Sequence, residues 1–363
     1  MDITKIVVTG GPCAGKTTAL SKIQTHFSKL GYAVLVVNEV ATELIAGGIA
    51  PWTCGTNSDY QLCHMKIQIE KERAIEKAAA TMNAEKVLVV CDRGTIDCKA
   101  YMTQSDFDAV AEALGTNEVE MRDDYDAVFH LVTAAKGAEE FYTLSNNSSR
   151  TETIEQAKQK DDLLISAWTG HTHFRVIGND TDFEGKLQKL LKEISSVLGE
   201  PEPMEIEHKY LIEYPDIAHL ESLPNCSKVE IIQTYLKTEN GHEVRVRQRG
   251  SGGKYIYFRT EKIRVSDLKR VEIERRITQD EYLAALMNAD TSMRPIRKNR
   301  YCLSYGSQYF EIDIYPFWND KAVVEIELSD ENEQVKMPEF IKVIREVTDD
   351  RSFSNYELAK INN

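Results

Sequence analysis

The sequence predicts two domains of different class. The first is a three-layer α/β/α unit around a parallel sheet, and the second is mainly-β, antiparallel, with flanking helices. Three observations carry this. The chain has 363 residues, which suits two domains at about 100–200 residues each. Its first half alternates short β-branched runs with helical patterns, whereas its second half changes to period-2 alternation. Between the halves, Gly199-Glu200-Pro201-Glu202-Pro203 sets prolines and a glycine beside charge, the composition of a linker. The expected boundaries are residues 1–198, a linker at 199–203, and residues 204–358.

In the first domain, the runs at 6–9, 34–37, 87–90 and 128–132 read as strands covered on both faces, as in parallel sheets. Helical spacing of apolar residues predicts helices at about 16–30, 60–82, 106–114, 152–168 and 182–197. In the second domain, alternation predicts strands at 205–209, 243–247, 255–262, 270–276, 309–315 and 323–328, with helices at 279–288 and 338–347.

Composition removes some classes of function. With 58 acidic against 44 basic residues the formal charge is −14, which disfavours a nucleic-acid coat, because that affinity comes from Lys and Arg neutralising phosphates. No run approaches the roughly 18 apolar residues of a membrane span, and no secretory leader precedes the first strand. The 7 cysteines are scattered, with no C-x-x-C pair. That pattern suits a reducing compartment, so the expected location is the cytoplasm.

The sharpest local signal is Gly10-Gly11-Pro12-Cys13-Ala14-Gly15-Lys16-Thr17, which fits G-x-x-x-x-G-K-[ST] between a strand and a helix. Such a loop wraps its N–H groups around a phosphate at the positive end of a helix. Lys16 then reaches the β- and γ-phosphates of ATP or GTP, and Thr17 ligates Mg²⁺. Asp92 ends the third strand run and is the candidate second metal ligand, or else a cap of the next helix. Glu39 follows the second strand, as a base facing a phosphoryl acceptor or as a surface carboxylate. Arg93 and Arg150 are candidates for stabilising transferred charge, the latter from a polar, lid-like stretch where a solvated arginine is the plain alternative.

With Thr18 beside the loop, Asp92-Arg93-Gly94, Arg150-Thr151-Glu152 and Gly178-Asn179-Asp180, residues 1–198 resemble the AAA_28 or NadR-like group of P-loop ATPase and kinase domains. The resemblance implies a nucleoside-kinase-like architecture, with Asn179 near the base.

Side chains at i and i+2 of a strand share a face, about 6.6 Å apart. Glu205, Glu207 and Lys209 therefore form one stripe, Arg245, Arg247 and Arg249 another, and Arg270, Glu272, Glu274 and Arg276 a third. Lys298 with Arg300, Glu311 with Asp313, and Glu325 with Glu327 continue the series. Either these strands carry one wet face, or they close on an interior where carboxylates hold divalent cations and the bases hold a polyphosphate.

The series resembles the CYTH, or triphosphate tunnel metalloenzyme, family, whose E-x-E-x-K signature stands as Glu205-Ile206-Glu207-His208-Lys209. The resemblance implies an eight-stranded antiparallel tunnel. In it Lys209, Arg245, Arg247, Lys262, Arg270, Lys298 and Arg300 hold triphosphate, while Glu205, Glu207, Glu272, Glu274, Asp313, Glu325 and Glu327 hold Mg²⁺ or Mn²⁺. It also turns His208 outward and gives Lys209 a catalytic place.

Together the halves resemble the TRPL-translocation-defect family. Two functions follow as expectations. One is an enzyme, a P-loop NTPase or small-molecule kinase joined to a metal-dependent triphosphatase. The other is a nucleotide-switched protein whose tunnel grips an anionic phospholipid headgroup such as phosphatidic acid. The retained set of metal ligands favours the enzyme.

Overall fold

A computed structural model describes residues 2–141, 153–200, 206–238, 243–264, 270–328 and 333–361. The chain forms two compact units, Met1–Glu202 and Pro203–Asn363.

The first unit runs β1 (Asp2–Gly10), α1 (Lys16–Lys29), β2 (Ala33–Val37), α2 (Val40–Ala46), α3 (Asn57–Ala79), β3 (Lys86–Asp92), α4 (Gln104–Ala113), α5 (Glu118–Arg122), β4 (Ala127–Leu131), α6 (Ile154–Trp168), β5 (Phe174–Ile177) and α7 (Phe183–Val197). A short 3-10 helix, Thr95–Tyr101, follows β3. The sheet order is β2-β3-β1-β4-β5, and every pairing is parallel. Both faces are covered, as the apolar runs require. Ile6, Val8, Leu88, Val90 and Phe129 pack with Ile23 and Phe27 of α1 and with Leu187, Leu190 and Ile194 of α7. On the other side Val7, Val87, Val89 and Val128 are fully buried.

Start signals fix the helices. Thr56, Thr103, Asn117, Thr153 and Asp182 each cap a following helix through a side-chain oxygen, with reciprocal capping boxes at α3 and α6. Helix α1 differs: Gly15 stands at its N-cap with no side-chain hydrogen bond. Because the sheet is parallel, Gly10, Glu39, Asp92, Thr133 and Asn179 all come to its carboxyl edge, where α/β folds bind ligands.

The second unit runs β6 (Ile206–Glu213), α8 (Ile217–Ser222), β7 (Cys226–Tyr235), β8 (Glu243–Ser251), β9 (Lys254–Arg264), β10 (Arg270–Ile277), α9 (Gln279–Leu286), β11 (Ile296–Tyr305), β12 (Gln308–Ile314), β13 (Lys321–Leu328), β14 (Val343–Glu346) and α10 (Asn355–Ala359). One antiparallel sheet holds all nine strands in the order β10-β9-β8-β7-β11-β12-β13-β6-β14. The sheet is not closed: among the described residues β10 and β14 are its edges, so the count is nine rather than eight. The helix expected at 338–347 is replaced by β14. Phe340, Ile341, Val343 and Ile344 have helical spacing, but the β-branched residues pair along the edge of β6, with Val343 opposite Ile212.

Alternation sorts the two faces. Outward, Tyr301, Leu303, Phe310, Ile312, Val324 and Ile326 pack with Leu220 of α8 and Ile341, while Val244 and Val246 pack with Tyr282 of α9. The middle of the charged face is buried too: Arg249 is 1% exposed and Asp313 0%, whereas Glu207 and Arg276 are exposed. The buried charges point inward without the ladder closing. At one end of this face Leu211, Tyr235, Ile296, Tyr315 and Val323 form an apolar cluster with Phe353, Leu358 and Ala359 of the C-terminal segment.

Candidate functional site

In the first unit the phosphate loop passes so close to β4 that a Cβ on Gly10 would lie 2.2 Å from the Leu131 carbonyl oxygen. Gly15 has φ 89°, and its missing Cβ leaves room for the Phe183 ring. The first N–H groups of α1 have no acceptor within the helix, so its uncapped start is suited to an anion. Lys16 donates to the Gly10 carbonyl at 3.5 Å. Burial, with Arg93 adding to it, lowers its pKa to about 8 against the pull of Glu39, Asp92 and Asp97. Thr17 and Thr18 are exposed.

Asp92 ends β3 opposite Val8 of β1. Its Oδ1 is buried without a hydrogen-bond partner, and burial raises its pKa, with Glu39 and Asp97 pushing the same way. It does not cap the following helix; Gly94 occupies that place, with Asp97 accepting from its N–H at 2.9 Å. An orphaned carboxylate oxygen of this kind fits a hard divalent cation.

Glu39 precedes α2 and accepts from Arg93 Nε at 2.5 Å and Thr42 Oγ1 at 2.6 Å. Burial works to raise its pKa, but Arg93 and Lys16 outweigh this and hold the carboxyl at about 2. Arg93 adopts φ 71°, rare for a residue with a side chain. It is fixed at both ends, by Glu39 and by Asp97 at 3.2 Å. Arg150 lies outside the described residues. The Asn179 amide donates to the carbonyls of Thr133 (2.8 Å) and Lys136 (2.7 Å) and accepts from Lys186 (2.7 Å), so this side chain shapes the loop after β4.

Two residues that sequence reasoning missed organise this site. Asp97, 2% exposed, accepts from Thr9 of β1, Gly94, Arg93 and Trp168 Nε1. Its signal was an acid three residues after Gly94, placed to accept from the N–H that opens the following helix. Asp161 is fully buried on α6, in line with Ala157, Leu164 and Trp168. A charge on the buried stripe of an amphipathic helix was its signal.

In the second unit the inward bases and acids hold one another. Arg300 of β11 donates to Asp313 through Nε and Nη2 (both 2.7 Å), to Glu325 (2.6 Å) and to Glu311. Lys298 also pairs with Asp313, and Lys209 with Glu325 at 2.9 Å. On the other wall Arg247 grips Glu274 at 2.7 and 2.8 Å, Thr260 donates to the same carboxylate, and the guanidinium lies 5.5 Å from the Phe258 ring. Arg247 Nε is buried without a hydrogen-bond partner. Its pKa is lowered by burial and by Arg245, Arg249 and Arg300, against Glu274.

Asp313, Glu274 and Glu325 are engaged by bases, and Glu207 lies 3.6 Å from Lys209 Nζ. Glu207 sits across from Glu327 in the ladder, and desolvation and Glu325 push its carboxyl up to about 7 against Lys209 and Arg300. Among the described residues no group of three or more His, Cys, Asp or Glu is arranged to hold a metal. Glu205 is outside the described residues. Arg270 and Glu272 lie in β10, Glu272 opposite Lys262 of β9, and their side chains are not among those described. His208 points outward, where its ring meets Glu346 of β14 at 2.9 Å.

The first unit is thus a P-loop nucleotide-binding domain by fold and loop geometry. The AAA_28 family model, described as an AAA domain, matches residues 5–186. This chain belongs to that family. No curated protein matches it. Among solved structures it is similar to the inorganic triphosphatase NE1496, with 28% identity over 44% of this chain and 97% of that one, at a TM-score of 0.32. A second structure of NE1496, titled a hypothetical protein, shares 30% identity over 43% and 97%, at 0.31. The PH1012 protein from Pyrococcus horikoshii OT3 shares 19% over 35% and 80%, at 0.27. Among the described residues no helix is long and apolar enough to cross a membrane.

Proposed function

We propose that the chain is an enzyme with two phosphate-handling sites. The first unit hydrolyses ATP or GTP, or passes the terminal phosphoryl group to a small acceptor; the second is a metal-dependent triphosphatase. The observation that carries the second assignment is the row of Arg245, Arg247 and Arg249 on one inward strand face with Arg300 nearby, where burial first and these neighbouring charges next lower the pKa of Arg247 against Glu274. Like charges held close and out of water are relieved by an anion, and a linear polyphosphate matches a row of guanidinium groups.

In the first unit Lys16 and the α1 N-terminus bind the phosphates, while Thr17 and Asp92 would hold Mg²⁺. When bound, the cation neutralises charge on the β- and γ-oxygens. Glu39 is ionised throughout the neutral range, so it orients an acceptor hydroxyl and is too weak a base to take its proton early. Arg93 supplies fixed positive charge at the sheet edge. In the second unit the expected set of carboxylates, Glu205, Glu207, Glu272, Glu274, Asp313, Glu325 and Glu327, would supply the ligands of a divalent cation as the bases turn to the triphosphate. Until then Asp313, Glu274 and Glu325 keep the bases in place. Lys209 meets charge on the departing phosphate.

The test is phosphate release from tripolyphosphate, ATP and GTP with Mg²⁺ or Mn²⁺, by wild type and Glu207→Gln. Metal-dependent turnover of tripolyphosphate that Glu207→Gln abolishes is expected. Equal, negligible rates in both would remove the triphosphatase assignment. Retention on phosphatidic acid vesicles without any turnover would replace it with the phospholipid reading.

A further inference from the structure

The phosphate loop is held from behind by one carboxylate. Asp161 Oδ1 accepts from the Gly11 N–H (3.1 Å), the Thr133 N–H (3.0 Å) and His130 Nε2 (2.9 Å). Its Oδ2 accepts from Lys136 Nζ at 2.9 Å. Since that carboxylate accepts, the His130 proton belongs on Nε2. The same loop after β4 grips the phosphate loop at two further points, Thr133 Oγ1 to the Pro12 carbonyl and Ala134 N–H to the Cys13 carbonyl (3.4 Å).

The donors come from three parts of the chain: the phosphate loop, β4 and the loop that follows it. Asp161 is fully buried, and its oxygens have four donors. An ionised carboxylate beneath a phosphate site would ordinarily repel the ligand. Here Lys136 compensates the charge, and the carboxyl is held well below its usual range, with burial outweighed by His130 and Lys136. A carboxylate in this place costs the phosphate little while it fixes which way the Gly11 peptide faces.

We propose that Asp161 is a positioning residue for nucleotide binding: by taking the Gly11 N–H on the rear of the loop, it sets the loop backbone so that the later N–H groups and Lys16 meet the phosphates. This rests on the reading of that loop as a nucleotide site. Gly11 itself fits only a close approach, because a Cβ there would stand 2.8 Å from Asp161 Oδ1 and 3.1 Å from Thr133 Cβ.

The experiment is titration of the full chain with fluorescent N-methylanthraniloyl ATP and GTP in Mg²⁺, with the melting temperature measured beside each affinity. Asp161→Ala is expected to weaken the preferred nucleotide about tenfold to a hundredfold, the span of one charge-assisted hydrogen bond. Asp161→Asn, which keeps an acceptor for Gly11 and Thr133, is expected to bind more tightly than Asp161→Ala. Leu164→Ala, an equally buried site on the same helix, should lower the melting temperature and leave the affinity within about twofold, as expected of sites that share no partners. Gly11→Ala/Asp161→Ala should bind no worse than the weaker single variant, because both changes break the same contact.

Wild-type affinity in Asp161→Ala, an equal loss in Leu164→Ala, or additive losses in the double variant would each overturn the positioning role. Absence of nucleotide binding by wild type would overturn the nucleotide site itself. Should Asp161→Ala fail to fold, Asp161→Glu decides, since it keeps the charge and displaces the acceptor: unchanged affinity contradicts the proposal, and a loss at an unchanged melting temperature supports it.

Discussion

The phosphate loop and the inward face of the second unit attract the same chemistry with opposite construction. The loop is backbone, contiguous over a few residues, and presents an uncapped helix start and an orphaned Asp92 oxygen. The inward face is side chain, collected from strands across the second unit, and its charges are already paired with one another. Both sites hold an unmet polar atom, Asp92 Oδ1 in one and Arg247 Nε in the other, but the second must also exchange internal ion pairs for its ligand. A backbone site is hard to damage except at its few special residues, whereas a paired side-chain site is vulnerable wherever one partner is removed.

The largest expected effect follows from that vulnerability. Arg300→Ala strips the compensating charge from Asp313, Glu325 and Glu311 at once and should destabilise the second unit by about 3–5 kcal/mol, read by chemical denaturation. An unchanged midpoint would mean that the pairs are not holding the face together. Next, Lys16→Ala should lower nucleotide turnover about 10²–10³-fold, as loss of one preorganised charge does, with little change in stability.

A smaller effect is the pH dependence of the second unit. The folded-state pKa of Glu207 is raised from 4.5 to about 7, so folding binds its proton more tightly than the unfolded chain does. The destabilisation that results is absent below 4.5, grows between 4.5 and 7, and is complete above 7. Metal binding needs the carboxylate, so metal-dependent turnover should rise through this same window. Glu207→Gln should remove this contribution to the stability slope, and an unchanged slope in denaturation midpoints would assign the titration elsewhere. Smallest is the cap of α6: Thr153→Ala breaks the box with Gln156 and should cost about 1 kcal/mol. Any loss of nucleotide affinity beyond that would show how firmly α6 must hold Asp161.

Legibility followed the same divide. Gly10 to Thr17 could be read as a site because a backbone anion trap is written in adjacent residues, and Asp92 followed because strand ends in a parallel sheet share one edge. Asp161 was not read, since its partner Gly11 lies 150 residues away in the chain and only the fold joins them. In the second unit, period-2 alternation revealed the charged face, and burial then settled its direction. The ion pairing of Asp313 and Glu325 could not be read, because a list of acids and bases does not say which will satisfy each other. Strand β7 escaped because its first residues, Cys226-Ser227-Lys228, lack the alternation of its neighbours. The segment around β14 fitted a helical pattern until the open edge of β6 gave its backbone a partner.

The central claim is that two differently built phosphate sites coexist in one chain. It is tested most directly by measuring nucleotide and tripolyphosphate turnover on the same preparations of Lys16→Ala and Arg247→Ala. The account predicts a double dissociation, with Lys16→Ala losing only the nucleotide reaction and Arg247→Ala losing only the tripolyphosphate reaction. Loss of both activities in either variant, or retention of tripolyphosphate turnover in Arg247→Ala, would contradict it.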